Sequence, residues 1–418
     1  MPPFEVFSLI FILVIILLVA EISHRVLAAL IGAALVIFFG LRYGLLTGSS
    51  YIEFVDMETL LFIVGIMILV EAFSRSGLFQ FIGMLAVKLS GGSVLRLYFI
   101  LMILSVVLSA FLTTIPAMLI MGSLTVAIAR HFHFDVREWI LDEALMSNIG
   151  GLALQISSIP NMIVSSRIEI GFIEFVRVSA PLVVLLTVIT VLYLSRGKER
   201  GKFDIEVKPW SVIEDKGVLI RIFLIFTVVI FLLGGSEFLG VDPETVALLG
   251  AVAVLTLGGM EPDTVLKNID WGSVFFIASF YIIIGGLESS GVMEMLAMNA
   301  GRLLGMGGLV TSALNLWICA GMSAFLDNIP VTLLLTSMVA ELSRLTGVAV
   351  RTLVWGIIFG ANIGGNFLPF ASPSLVIAAG ILESEGKPVT VSYYLKNYLA
   401  PSILMLVVTT AYLLLKVA

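Results

Sequence analysis

Two copies of one polar motif interrupt long apolar segments of this chain, and they lie 214 positions apart. The run Asn-Ile-Gly-Gly at 148–151 recurs at 362–365. The same offset carries Ser-Ala-Phe-Leu at 109–112 onto 323–326. Two unrelated apolar helices would not share rare polar residues in register. The sequence therefore predicts an internal duplication.

The overall composition indicates that both copies lie in a lipid bilayer. Hydrophobic residues make up 60% of the 418 residues, charged residues make up 12%, and the mean hydropathy is +1.14. An average soluble domain has about 25% charged residues. The chain is therefore predicted to be a multi-pass membrane protein. The first apolar run, Phe4–Ala20, has no basic residue before it, so it is interpreted as a retained helix rather than a cleaved signal peptide.

Several other functions find no support in the residue pattern. No basic patch with interleaved aromatic residues indicates nucleic-acid binding. Cys319 is the single cysteine, and three histidines are too few for a usual zinc site. The sequence contains no Gly-rich phosphate loop that would indicate an ATP site. Association with a separate ATPase partner remains an open alternative. We expect no enzymatic activity, because the apolar segments show no pairing of a nucleophile with a base.

Two apolar segments are too long for a single crossing. Val94–Arg130 and Gly308–Arg344 would each measure about 54 Å as straight helices, whereas the hydrocarbon core is about 30 Å thick. Each has a polar, proline-containing run at its middle, at 112–116 and at 326–330. Because proline interrupts a straight helix, each segment is predicted to enter the membrane, turn and return as a re-entrant hairpin.

Two further segments are apolar but broken near their middle. Trp139–Ser165 contains SNIGG and SSIPN, and Leu353–Gly380 contains ANIGGNFLPFASPS. Irregular backbone at this depth is tolerated only where it lines a cavity or is buried in protein. Each copy then crosses the membrane an odd number of times, so the second copy is predicted to be inverted relative to the first.

The predicted fold is an all-α polytopic membrane protein with about ten transmembrane helices, two re-entrant hairpins and two inverted-topology repeats. The first repeat covers 1–194, a linker covers 195–217, and the second repeat covers 218–418. With the linker on one side of the cell membrane, 16 Lys and Arg residues fall on that side and 7 on the other. By the positive-inside rule the linker is predicted to be cytoplasmic and both termini extracytoplasmic.

The two hairpin tips and the two helix breaks are expected to meet near the midplane and to form the site for substrate and ion. Glycines allow close backbone approach, and free carbonyls, amides and hydroxyls are suitable ligands for a cation such as Na⁺. Helix N-termini suit an anionic or polar oxygen group. An open alternative is that these Asn and Ser side chains only cap helices. The candidate residues are Thr113, Thr114, Asn148, Gly150, Gly151, Ser157, Ser158, Asn161, Asp327, Asn328, Asn362, Gly364, Gly365, Asn366, Ser372 and Ser374.

Asp327 is the candidate residue for proton or cation coupling. An intramembrane carboxylate is costly and by default functional; the alternative is a protonated Asp with a structural hydrogen bond. Thr113 occupies the equivalent position of the first copy, so only one tip is acidic. No Lys or Arg lies in a tip or break, which favours a cation or a neutral or weakly charged oxygen compound. Asp56 and Asp270, at span ends, are expected to face the membrane interface.

These motifs resemble the ArsB/NhaD ion transporter superfamily, which includes arsenite pumps, sodium/proton antiporters, silicon effluxers and the melanosomal P protein. More distantly, the chain is similar to the divalent anion/sodium symporters. The resemblance is carried by LSAFLTTIP, MSAFLDNIP, SNIGGLALQISSIPN and ANIGGNFLPFASPS. It implies a scaffold and a transport domain, a homodimer, elevator-like alternating access, and ion or substrate contacts at Asp327, Asn328, Asn148 and Asn362. The pair Thr113-Thr114 departs from the acidic-amide pair of many members.

Three transport functions follow from these features. The first is cation-coupled export, driven by H⁺ or Na⁺, of an arsenite- or silicate-like oxyacid. The alternatives are a Na⁺/H⁺ antiporter of the NhaD type and a sodium-coupled symporter of carboxylates or other anions. The expected partners are a small inorganic ion or oxyacid and the lipid bilayer, with bound Na⁺ as the one candidate cofactor.

Overall fold

The computed structural model describes residues 2–20, 22–132, 135–196, 198, 201–202, 215–304 and 308–416. Over these residues the chain is almost entirely helical. Residues 203–214, which form most of the predicted linker, lie outside the described residues.

The helices of the first half alternate between long membrane-scale elements and shorter ones. They are α1 (Pro3–Val19), α2 (Arg25–Arg42), α3 (Met57–Arg75), α4 (Leu78–Leu89), α5 (Val94–Leu112), α6 (Thr114–Phe132), α7 (Val136–Gly150), α8 (Ile159–Arg167) and α9 (Phe172–Leu194).

The second half has a similar succession, with one additional short helix. Its helices are α10 (Lys216–Leu239), α11 (Pro243–Leu257), α12 (Pro262–Leu266), α13 (Trp271–Ser289), α14 (Val292–Leu304), α15 (Gly308–Phe325), α16 (Asn328–Thr346), α17 (Val350–Gly364), α18 (Pro373–Ser384) and α19 (Val391–Lys416).

Nine helices in the described part of the chain are long and apolar enough to cross a membrane, namely α2, α3, α5, α9, α10, α13, α15, α16 and α19. The prediction of an all-helical, multi-pass membrane protein is confirmed. The nine include α15 and α16, the two arms of the second predicted hairpin. In the first predicted hairpin α5 qualifies, whereas the apolar part of α6 is shorter.

Local sequence signals determine where the helices begin. Asp56 and Asp270 cap α3 and α13, because each Oδ1 accepts a hydrogen bond from the backbone N–H three residues later at 3.0 Å. The prolines predicted to interrupt the apolar segments lie in the first turns of α6, α8, α16 and α18. A first-turn proline costs no intrahelical hydrogen bond. These prolines therefore begin helices instead of bending continuous ones.

Helix starts recur at the offset that separates the sequence motifs. From α3 to α8 in the first half and from α13 to α18 in the second, each equivalent pair of helices begins 214 positions apart. The glycines that precede α4 and α14, Gly77 and Gly291, have nearly equal left-handed φ values of 79° and 80°. Only glycine adopts this conformation readily, so the same turn chemistry starts both helices.

The helices pack into two groups. The frame helices are α1, α2, α3, α10, α11 and α13, in which α3 packs on α11 and α13 packs on α2. The core helices are α5 to α8 and α15 to α18. Within them α5 packs on α7 and α15 on α17, while α18 contacts α6 and α7 and α8 contacts α16 and α17. Each contact therefore has a counterpart in which the two halves exchange places.

The start of the linker is attached to the core helices. Lys198 Nζ lies 2.8 Å from Asp142 Oδ2 on α7 and donates to Glu138 Oε2 at 2.7 Å. Asp142 also accepts from the hydroxyls of Tyr98 at 2.8 Å and Tyr398 at 3.0 Å. Burial opposes the charge on Lys198, but attraction by Asp142 and hydrogen bonds to both carboxylates outweigh it, so the pKa of Lys198 is raised.

We expect Lys198→Met to destabilise the protein by about 3–5 kcal/mol, because it leaves Asp142 buried without its cation. Thermal unfolding in detergent measures this loss, and Lys202→Met, at an exposed position, is the matched control. The ion pair contributes fully below the ordinary lysine pKa of about 10.4 and is lost as the pH rises through the raised value. Equal melting temperatures for both variants would contradict the assignment.

Candidate functional site

A cavity of about 270 Å³ lies between the frame helices and the core helices. Both predicted hairpin tips and both helix breaks contribute to its wall. The predicted site residues that line it are Thr113, Thr114, Asn148, Ser158, Asn328, Asn362 and Ser372. The frame helices add Arg25, Asp270 and Ser273.

Four of the core helices begin at this cavity. The first residues of α6, α8, α16 and α18, which are Thr114, Ile159, Asn328 and Pro373, all line its wall. A helix N-terminus carries free N–H groups and a partial positive charge of about half a unit. Helix N-termini of this kind favour an anionic or oxygen-rich group.

The helix breaks of the two halves are joined by side-chain hydrogen bonds. Asn148 Nδ2 donates to Asn366 Oδ1 at 2.6 Å and to Ser372 Oγ at 2.9 Å. Ser374 Oγ donates to Asn148 Oδ1 at 2.7 Å. Because all four side chains are buried, this network holds the Asn148 amide in one orientation at the cavity wall.

A second contact joins the breaks through their other asparagines. Asn362 Nδ2 donates to Asn161 Oδ1 at 3.1 Å, and Asn161 Nδ2 donates to the carbonyls of Gly151 and Leu154, both at 2.8 Å. Ser157 Oγ donates to the carbonyl of Ala110 on α5 at 2.6 Å. Asn161 thus satisfies backbone carbonyls exposed by the interruption between α7 and α8, and Ser157 ties that interruption to the last turn of α5.

The remaining predicted site residues do not line the cavity. Gly150 and Gly364 allow α7 and α17 to pack closely on α5 and α15. An added Cβ would lie 2.3 Å from the carbonyl oxygen of Val106 in the first case and 2.4 Å from that of Ala320 in the second. The others that do not line it are Gly151, Ser157, Asn161, Asp327, Gly365, Asn366 and Ser374.

The two hairpin tips differ in backbone conformation. Thr113 has a φ of 67°, which is unusual for a β-branched residue, whereas the equivalent Asp327 has a φ of −54°. A conformation of this kind stores about 1–3 kcal/mol of strain. The strain lies at a residue that lines the cavity, where such conformations commonly cluster.

Asp327 contacts the frame helices through Arg25. Arg25 Nη1 donates to Asp327 Oδ2 at 3.0 Å, while its Nη2 lies 3.4 Å from Asp270 Oδ2 and donates to Ser273 Oγ at 3.0 Å. The expectation that the site has no fixed cation is therefore wrong, because Arg25 comes from a frame helix and not from a tip or break. Asp270, expected at the membrane interface, also lines the cavity.

Asp327 keeps one oxygen free for a further ligand. Its Oδ1 is buried and has no hydrogen-bond partner among the described residues. With Asp327 and Asp270 both ionised, Arg25 is outnumbered by two negative charges to one. This arrangement can accept a proton or a small cation at Asp327.

Sequence reasoning missed Arg25, Asp270 and the buried carboxyls Asp142 and Glu143. Arg25 and Asp270 lie at span ends, where charges usually face water, so only the packing of α2 and α13 beside the Asp327 tip identifies them. The sequence does carry a signal for Asp142 and Glu143, because two carboxyl groups stand inside a segment that is otherwise apolar.

Comparison with known proteins agrees with this architecture. A family model described as citrate transporter (CitMHS) matches residues 15–355 and 318–417. An uncharacterized transporter of Mycobacterium tuberculosis is 28% identical over 390 residues, which cover 91% of each chain. A 46 kDa membrane protein of Mycobacterium leprae is 26% identical over 418 residues, which cover 97% of each chain.

The P protein of Homo sapiens is 26% identical over 462 residues, which cover 88% of this chain and 55% of the P protein. The resemblance to the ArsB/NhaD superfamily, which includes the P protein, is therefore confirmed, as is the expectation of a transporter rather than an enzyme. Because the family model covers most of the sequence, the chain belongs to the citrate transporter (CitMHS) family of membrane transporters.

Proposed function

We propose that this protein is a cation-coupled secondary transporter of a small oxygen-rich anion, with a carboxylate such as citrate as the first candidate. The observation that carries the proposal is the meeting of four helix N-termini and the Arg25 guanidinium at one cavity. Arginine and helix N-termini both bind carboxylates. The family description, which names citrate, supports the same class of substrate.

Coupling between cation and anion follows from the shared position of Arg25. In the structure the positive charge of Arg25 is engaged by Asp327 and Asp270. A proton or Na⁺ at Asp327 weakens the first of these ion pairs and frees Arg25 for a carboxylate of the substrate. By thermodynamic linkage the anion strengthens cation binding equally, by about 1–3 kcal/mol for a typical coupling.

Alternating access is proposed to occur by movement of the core helices relative to the frame helices. Two observations support inverted repeats as the basis for this movement. Equivalent helices begin 214 positions apart, and helix contacts recur with the two halves exchanged. We further propose that the linker is cytoplasmic. The cavity rim residues Arg25, Asn268 and Asp270 would then face the cytoplasm.

Uptake of radiolabelled citrate into proteoliposomes, under an imposed H⁺ or Na⁺ gradient, tests the proposal. We expect accumulation by the unmodified protein and a loss of at least about tenfold in Arg25→Gln, because the substrate loses a charged hydrogen-bond donor. Arg42→Gln is the matched control, since Arg42 ends the same helix and is exposed. Equal citrate uptake by Arg25→Gln and the control would overturn the role of Arg25.

A neutral oxyacid is the second candidate substrate. The amides of Asn148 and Asn362 and the hydroxyls of Ser158 and Ser372 at the cavity wall favour it, since they bind uncharged hydroxyl groups. The same vesicles are therefore tested with arsenite and silicate. Gradient-driven flux of either compound, without flux of citrate, would replace the carboxylate proposal. Proton flux driven by Na⁺ alone would favour the antiporter.

A further inference from the structure

Two adjacent carboxyl groups on α7 lie outside the cavity and are almost completely buried. Asp142 is 1% exposed and Glu143 is 0% exposed. The negative charge of Asp142 is compensated, because Lys198 and the hydroxyls of two tyrosines contact its carboxylate. Glu143 has no such compensation by a neighbouring cation. The transport mechanism proposed above has no role for it.

Glu143 has a single neutral partner among the described residues. The hydroxyl of Thr125 on α6 donates a short hydrogen bond to its Oε1. Its Oε2 is buried and has no hydrogen-bond partner, and no Lys, Arg or His of the described residues forms an ion pair with it. An ionised carboxylate in such a place would cost several kcal/mol, whereas a protonated one would not.

We propose that Glu143 is a proton-binding site of the transporter, separate from the cation site at Asp327. We further propose that Glu143 is protonated while the core helices move through the membrane relative to the frame helices. This inference rests on the proposed transport function and identifies the proton as one of its coupling ions. Moving an unpaired charge through the hydrocarbon layer is unfavourable, so loss of the proton opposes the crossing.

The ionisable groups near Glu143 suggest how a proton reaches it. Asp142 precedes it on α7, and Lys198 of the linker connects Asp142 to Glu138, whose side chain is 58% exposed. Toward the cavity, Asn148 follows Glu143 by five residues on the same helix, about 7.5 Å along its axis. Glu143 thus lies between a surface-connected network and the substrate site.

Other elements that pack against α7 bring further ionisable groups. Tyr98 on α5 and Tyr398 on α19 both donate to Asp142. Arg130 on α6 pairs with Glu385, which directly follows α18. Each of these groups already has a partner, so Glu143 differs from them in having a carboxylate oxygen that is both buried and unpaired.

Infrared titration of the purified protein in lipid tests the inference without any solute. Between about pH 5 and pH 9 we expect the carbonyl band of a protonated carboxyl to decrease as the pH rises. The band should be absent from Glu143→Gln and present in Asp327→Asn. In Thr125→Val, which removes the donor to the ionised form, the titration should move up by about one pH unit.

Three results would overturn the inference. A band that does not change with pH indicates a permanently protonated structural group. A band missing from the unmodified protein indicates an ionised group, and a band that survives in Glu143→Gln belongs to another residue. If Glu143→Gln does not fold, the shift in Thr125→Val decides alone. Because no substrate is present, these outcomes are independent of whether citrate is transported.

Discussion

Replacing Asp327 with Asn is expected to uncouple citrate transport from the cation gradient. The Asn amide cannot be protonated and lacks the negative charge that binds Na⁺, so accumulation driven by a Na⁺ gradient should fall by about 100-fold. Arg25 is then released from its ion pair without a cation. Citrate should therefore bind to the variant without Na⁺, with an affinity that no longer depends on the Na⁺ concentration.

Scintillation binding measures the dependence of citrate affinity on the cation, and proteoliposome flux measures the loss of gradient-driven accumulation. Asp56→Asn is the matched control, because Asp56 caps the equivalent helix α3, where Asn can still cap, and does not line the cavity. The control should keep its dependence on the cation. The mechanism is refuted if Asp327→Asn and the unmodified protein show the same cation dependence of citrate binding.

Adding one methyl group at Gly150 is expected to cause the second large effect. In Gly150→Ala the new Cβ would lie 2.3 Å from the carbonyl oxygen of Val106 and 2.8 Å from the Cβ of Ser109. A backbone atom cannot move aside as a flexible side chain can, so α5 and α7 must separate. We expect a cost of about 3 kcal/mol and a melting temperature lower by on the order of 3–4 °C.

The equivalent substitution in the second half should behave alike. Gly364 packs on Ala320 and Ser323 as Gly150 packs on Val106 and Ser109. Gly380→Ala is the control, because Gly380 lies in α18 with no atom within 4 Å of an added Cβ. Since Ala favours helix more than Gly does, the control should be neutral or stabilising by up to about 1 kcal/mol. Unchanged stability in Gly150→Ala would contradict the packing.

Residues of the hairpin tips and helix breaks could be predicted because they are polar in an apolar context. Asn148 and Asn362 interrupt segments that otherwise satisfy membrane spans, and both line the cavity. The prolines were harder to interpret. The sequence predicted an interruption, but whether proline bends a helix or begins one depends on the backbone before it, which packing determines.

Arg25 and Asp270 could not be predicted from local sequence. Both stand at helix ends, where a charge usually remains in water, and their role arises only because α2, α13 and the Asp327 tip converge. Glu143 was predictable in principle, since a carboxylate within an apolar segment is rarely incidental. What sequence alone does not reveal is that its neighbour Asp142 has a cation and Glu143 has none.

The unequal hairpin tips bear on the timing of the transport cycle. Among the described residues the Asp327 tip alone forms an ion pair with the frame helices, whereas the Thr113 tip carries no charge. The conformation that opens toward the opposite face would therefore have no ion pair corresponding to that of Arg25 with Asp327. It would lie higher in energy when no solute is bound. Between transport cycles the carrier would then favour the state in which its binding site opens toward the face of Arg25. Solute on that face would bind directly, whereas solute on the other face would bind only after the carrier reaches the state of higher energy.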